Sequence, residues 1–125
     1  MAELVLADTS VWINHLRYGN ADLFEALEAG SVWAHEFVIG ELACGNLARR
    51  QQVLSLLALL PRAEPAGHDR VLALLEDEKL MGRGLGWVDV HLLVAAAQSG
   101  LKLWSLDKRL AEAAEDLRIG VRRST

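Results

Sequence analysis

Leu4-Val5-Leu6-Ala7-Asp8-Thr9-Ser10-Val11-Trp12-Ile13 is the stretch from which the fold can be read. Four apolar residues bounded by a polar triplet describe a short buried strand. Thr9 or Ser10 is a good helix N-cap and Val11, Trp12 and Ile13 follow, so the expected geometry is strand, sharp turn, helix. Asp8 then stands at the carboxyl end of a first strand. In open parallel α/β sheets that edge is where ligands bind, and a carboxylate there lies beside helix N-termini, a setting suited to cations bridged to phosphates.

The 125 residues are the size of one domain, taken as spanning 1–125, and are enough to bury a real core. With 52% hydrophobic and 24% charged residues the composition is that of a compact soluble protein rather than a disordered one. The single cysteine, Cys44, allows no internal disulfide, and the N-terminus lacks the charged region and long apolar core of a signal peptide, so a cytoplasmic location is expected. The apolar run from Val88 to Ala97 is too short to span a bilayer and is interrupted by Asp89 and His91, so no membrane association is expected. A net charge of −4 argues, by itself, against a nucleic-acid binder. If four of the 17 acids belong to one metal site, however, the remaining acids match the 13 Lys and Arg and the rest of the surface is neutral.

Beyond the first strand, a helix runs to about Arg17 and is broken by Gly19 and Asn20. Asn20 then caps a helix with Leu23, Phe24 and Leu27 at helical spacing, closed by Gly30. Val32, Trp33 and Ala34 make a second strand, and a helix begins at His35 or Glu36 and ends at Gly45 or Asn46. Further helices are expected over residues 49–60, stopped by Pro61, and over 68–79, with a short strand near Ala63 in the loop between them. A glycine-rich loop, 81–86, precedes the most apolar helix, which starts at Trp87 or Val88 and is capped by Gly100. Residues 101–106 read as a strand, 107–114 as a helix and 119–121 as a last strand. Alternating strands and helices imply a parallel sheet with right-handed crossovers.

Most acids fall on solvated helix faces, but four do not. Asp8 and Asp107 end apolar strands, where helix capping is the plain alternative to ligand binding. Glu41 lies on the stripe of Phe37, Val38, Leu42 and Ala43, where a carboxylate is costly to bury unless it is paired or metal-bound. Asp89 falls in the first turn of the most apolar helix, where the helix dipole alone favours a negative charge. Strand ends and the first turns of the following helices share one edge of a parallel sheet, which directs Asp8, Asp89 and Asp107 there, with Glu41 within reach from its helix. Four clustered carboxylates need compensating cations, and hard divalent ions, Mg²⁺ or Mn²⁺, suit oxygen ligands. His15, His35, His68 and His91 are scattered and make no zinc pattern, so they are read as non-catalytic.

Taken together, Asp8-Thr9-Ser10-Val11-Trp12-Ile13, Gly40-Glu41-Leu42 with Gly45, 84–93 (Gly84-Leu85-Gly86-Trp87-Val88-Asp89-Val90-His91-Leu92-Leu93) and 103–110 (Leu103-Trp104-Ser105-Leu106-Asp107-Lys108-Arg109-Leu110) resemble the four motifs of PIN-domain ribonucleases. Within that family the chain is most similar to the VapC toxins of bacterial VapBC toxin–antitoxin pairs. The resemblance covers nearly the whole chain in order and spacing, and it is specific as a set. It implies a PIN-like three-layer α/β sandwich, a central parallel sheet of four to five strands flanked by helices. It also implies a Mg²⁺-dependent endoribonuclease that hydrolyses RNA with metal-activated water, leaving a 5′-phosphate and a 3′-hydroxyl. Asp8, Glu41, Asp89 and Asp107 fall on the family's acidic positions as catalytic and metal-binding residues, with Asp8 and Asp89 the most direct ligands. Ser10 and Ser105 are supporting residues that orient carboxylates or water; the family often has threonine where Ser105 stands.

The implied partners are RNA, a second copy of the chain in a homodimer, and a VapB-type antitoxin whose tail occupies a groove near the acids. The helices over 49–60 and 68–79 are candidate interface elements, and Arg83, Lys108 and Arg109, near the expected mouth, are candidates to hold phosphates. Trp12, Trp33, Trp87 and Trp104 each lie close to a motif, with core packing the expected role for most of them. Other Mg²⁺-dependent phosphoryl-transfer enzymes fit less well. A haloacid-type phosphatase needs a second aspartate where Ser10 stands, and a receiver domain needs an acidic pair near the first strand, whereas Glu3 is too far from Asp8. A catalytically inactive PIN-like binding module loses ground because all four acids are present.

Overall fold

Val5, Leu6 and Ala7 are apolar, consecutive and buried on both faces, as the central strand of a parallel sheet requires. They form β1 (Val5–Ala7), flanked by β2 (Val32–Trp33) and β3 (Lys102–Trp104) in the order β2-β1-β3, with both pairings parallel. Val5 stands opposite Val32 and Lys102, and Ala7 opposite Trp104. The structure, a computed structural model, describes residues 3–121. Its helices are α1 (Thr9–Tyr18), α2 (Ala21–Glu28), α3 (Glu36–Cys44), α4 (Arg50–Leu59), α5 (His68–Asp77), α6 (Trp87–Ser99) and α7 (Lys108–Asp116).

The sheet is narrower than the four to five strands expected. Where strands were anticipated near Ala63 and over 119–121, single parallel bridges stand instead, Ala34 with Arg62 and Leu103 with Gly120, one on each outer edge. From β1 the chain moves through α1 and α2 to β2, whereas from β3 it moves through α7 to the opposite edge at Gly120. The connections therefore diverge between β1 and β3, and right-handed crossovers that run in opposite senses put their helices on opposite faces. Such a divergence opens a crevice at the carboxyl ends of the two strands.

Capping residues set where the elements begin. Asp8, rather than Thr9 or Ser10, is the N-cap of α1, its carboxylate accepting from Val11 N. Asn20 caps α2 through Leu23 N, as its position in the sequence indicates. His35 caps α3, with Nδ1 accepting from Phe37 N at 2.9 Å. Asp107 lies outside α7 as its N-cap, and that helix runs two residues beyond the expected end, to Asp116. β3 stops at Trp104, so Ser105 and Leu106 form the turn.

α6 is the element around which the helices pack. Val90, His91, Leu92, Leu93, Val94, Ala95 and Ala96 are all buried, so this helix is enclosed on every side, touching β3 and α5. α1 packs on β1, α2 and α3, which brings Asp8 and Glu41 to neighbouring elements. Trp12 and Trp104 belong to the core, Trp33 is half-buried, and Trp87 is exposed. No helix among the described residues is long and apolar enough to cross a membrane.

Leu93 is fully buried in α6, whereas Phe24 of α2 is 57% exposed. Leu93→Ala should cost about 2 to 5 kcal/mol of unfolding free energy in urea denaturation, and Phe24→Ala about 0.5 kcal/mol or less. Equal costs would mean that α6 is not the centre of the core.

Candidate active site

Asp8 follows directly on β1, with its N–H continuing the ladder to Trp104 O at 3.0 Å, and it is only 5% exposed. A carboxylate so placed needs donors. Ser10 Oγ donates to Oδ1 at 2.5 Å and Ser105 Oγ donates to Oδ2 at 2.6 Å. Each hydroxyl is itself aimed by a backbone amide: Leu106 N donates to Ser10 Oγ and Asp107 N to Ser105 Oγ, both at 2.9 Å. The two short Oγ–Oδ distances direct both serine protons at Asp8. Ser10 and Ser105, 95 positions apart in sequence, lie 3.5 Å from each other across the β1–β3 crevice.

The other three acids rim the same crevice. Asp107 follows the Ser105 turn, and its Oδ1 accepts from Arg109 N and Leu110 N. Asp89, in the first turn of α6, accepts from Gly86 N through Oδ2 at 2.9 Å, the N3 half of a capping box. Local capping is therefore a real role of Asp8, Asp89 and Asp107, but it engages only part of the last two. Glu41 differs from expectation: it is exposed, because α3 turns it off the apolar stripe toward the crevice rather than into the core. No arginine among the described residues pairs with it; Thr9 Oγ1 donates to its Oε1 at 2.6 Å, tying it to the residue next to Asp8. Thr9 was read as a helix cap, and nothing in the sequence signals its contact with a residue 32 positions away. Among the described residues, Asp89 Oδ1, Asp107 Oδ2 and Glu41 Oε2 meet no protein donor.

The acids sense one another. Burial pushes the Asp8 carboxyl above its ordinary value, opposed by the hydroxyls of Ser10 and Ser105 and by backbone amides. Asp89 is also raised, first by burial; the Gly86 amide opposes this, and the negative charges of Asp107 and Glu41 add to it. Among the described residues no basic side chain forms an ion pair with these four acids, and the ion pair of Arg83 with Asp116 does not involve them.

The histidines have other employment. His68, Trp87, His91, Phe37 and His35 form a file of ring contacts with centroids 4.9 to 5.1 Å apart. His91 and Asp89 are two residues apart on α6 and so point to nearly opposite sides of it. Burial lowers the affinity of His35 and His91 for protons, and His35 Nε2 and His91 Nδ1 have no hydrogen-bond partner. His15 accepts from Asn20 N.

Hard oxygen donors with free lone pairs suit a divalent cation. Among the described residues, no three His, Cys, Asp or Glu side chains are arranged to hold one ion together, which rules out a closed protein cage in this arrangement. Donors so spaced would suit a hard divalent cation that keeps part of its water shell and takes one or two carboxylates.

Comparison with known proteins agrees with this architecture. Residues 5–116 match the PIN domain family. Ribonuclease VapC32 of Mycobacterium tuberculosis, in strains CDC 1551 and H37Rv, is 47% identical over 111 residues, covering 88% of this chain and 90% of that protein. The crystal structure of PAE2754 from Pyrobaculum aerophilum is similar with a TM-score of 0.62, covering 94% of this chain and 95% of its own; at 21% identity it speaks for the fold. With four acids gathered at the crevice of a parallel sheet and a match of this extent, the chain belongs to the PIN-domain family, as a ribonuclease of the VapC type.

Proposed function

We propose that this ribonuclease is the toxin of a type II toxin–antitoxin pair, acting in the cytoplasm. In this reading Asp8, Glu41, Asp89 and Asp107 are its catalytic and metal-binding residues and Mg²⁺ is its ion, with Mn²⁺ able to substitute. The observation that carries the reading is that Asp8, Asp89, Asp107 and Glu41 converge on one strand-end crevice with no ion pair among the described residues to offset them, Asp89 being raised first by burial and further by the charges of Asp107 and Glu41. Such a group costs stability, and a bound cation is what would reverse the cost. When bound, a divalent ion lowers the pKa of water and offsets charge on the phosphate.

The chain's own residues divide the work. Asp8 is fixed by two oriented hydroxyls and offers the most rigid ligand position. Asp89 and Asp107 present free oxygens from helix N-termini, where backbone amides also favour an incoming phosphate. Glu41, exposed and tethered by Thr9, completes the rim directly or through water. Ser10 and Ser105 are positioning residues that act through Asp8.

Two protein partners belong to the proposal, a second copy and a VapB-type antitoxin. A groove of about 580 Å³ runs from Glu41 between α1, α3 and α4, with Ile13, Leu16, Leu42, Val53 and Leu56 along it. Its apolar floor beside the acids suits the antitoxin tail. Leu59 on α4 and Leu72 on α5 are exposed leucines on the helices read as interface elements.

Asp8→Asn and Asp89→Asn should each lower cleavage of single-stranded RNA by about 100-fold or more. Thermal unfolding should be unchanged or raised, since repulsion and a buried charge are relieved. A folded variant cleaving at the parental rate sinks the assignment.

Chelation by EDTA should abolish cleavage, and Mg²⁺ or Mn²⁺ should restore it. Activity that persists in EDTA would exclude the metal reading.

The raised pKa of Asp8 also fixes a sign. A carboxyl raised in the fold contributes stability that is fully present below its unfolded value, near 3.8, and lost as pH rises through the folded value. In EDTA, the stability of Asp8→Asn relative to the parent should therefore grow as pH rises above the unfolded value of 3.8. Urea denaturation across that range measures it, and a flat difference contradicts the burial argument.

A further inference from the structure

The glycine-rich loop before α6 holds a contact that the acidic site does not use. Gly84 has φ +78°, and a Cβ built there would stand 2.7 Å from Nη1 and 2.8 Å from Cδ of Arg109. Only a residue without a side chain lets the Arg109 arm lie against this loop. The two ends of that contact are the two flanks of the site. Arg109 N donates to Asp107 Oδ1, and Gly86, two residues beyond Gly84, donates to Asp89 Oδ2. Among the described residues, the Arg109 guanidinium has no hydrogen-bond or ion-pair partner, whereas Arg83 in the same loop is committed to Asp116 at 2.8 Å.

A seated cation at the rim of an acidic pocket in a chain of net charge −4 answers a specific difficulty, since the acids repel the polyanion on which they are meant to act. The guanidinium fork matches phosphate oxygens in a way that an ammonium does not. The geometry points to Arg109 as a substrate-positioning residue that grips an RNA phosphate next to the scissile one, with Gly84 as the cradle that aims it. This rests on the acids being the cleavage site. Lys108, also exposed, has no such seat and is the natural comparison.

The test uses the full chain and a labelled single-stranded RNA, with binding read by anisotropy in EDTA and cleavage read with Mg²⁺. Arg109→Met keeps the aliphatic stem over Gly84. It should raise KM and the RNA dissociation constant about 10-fold with kcat changed far less, and should reduce the slope of log affinity against log salt by about 0.7, the loss of one phosphate contact on a single strand. Arg109→Lys should restore the salt slope but not the full affinity. Gly84→Ala should weaken binding in the parent and add little in the Arg109→Met background. Because the backbone of Gly84 is strained for alanine, its unfolding is measured alongside, and the arginine variants decide the question if it fails to fold. Parental affinity and salt slope in Arg109→Met, or an equal loss in Lys108→Met, overturns the proposal. Undiminished cleavage by Asp89→Asn overturns the acidic site instead, whatever the arginine variants show.

Discussion

Burying the charge of Asp8 at the end of the central strand is the constraint to which much of the surrounding structure answers. A carboxylate removed from water must find donors, and here they come from opposite ends of the chain: Ser10 two residues on, Ser105 from the turn after β3. Each hydroxyl is held on two sides, donating to Asp8 and accepting from the amide of Leu106 or Asp107. The same few hydrogen bonds thus satisfy a buried charge, fasten β1 to β3 beyond the last ladder bond, and set the direction in which the carboxylate faces. A change at either serine would be felt in the fold and in the site together.

The rest of the acidic group shows the opposite economy. Asp89, Asp107 and Glu41 keep one oxygen each bound to the protein and leave the other without a donor. Their mutual repulsion is local destabilisation retained at one edge of an otherwise apolar assembly, whose central helix α6 is buried on all sides. Proteins break local rules of charge placement chiefly where function requires it, and the compensation lies in the core.

Much of this was legible from residues alone. The strand and turn at 4–13 carried the topology, because an apolar run that stops at an aspartate followed by capping residues has few other readings. Asp8, Asp89 and Asp107 were traceable to one edge because parallel strands and the helices after them share it. Glu41 was singled out for a wrong reason, since the apolar residues around it suggested burial and the helix instead rotates it outward. Arg109 was placed near the mouth from the sequence, but its seat on Gly84 was not, and neither was the tie from Thr9 to Glu41, because these contacts join residues far apart in sequence and leave no periodic trace. The outer strands were overestimated: short apolar stretches at the sheet edges supply only one bridging residue each, and nothing in their sequence distinguishes a bridge from a strand.

The register of the sheet bears on when in its synthesis this chain can first acquire its crevice. β1 takes its two neighbours from Val32–Trp33 and Lys102–Trp104, so one edge can be covered early while the other waits for most of the polypeptide. Closing so long a loop is slow, and N-terminal parts emerge from the ribosome first. A nascent chain halted before β3 holds Asp8 without Ser105 and without Asp107, and therefore lacks a finished pocket. The order of the strands thus makes this crevice one of the last features that the growing polypeptide can complete.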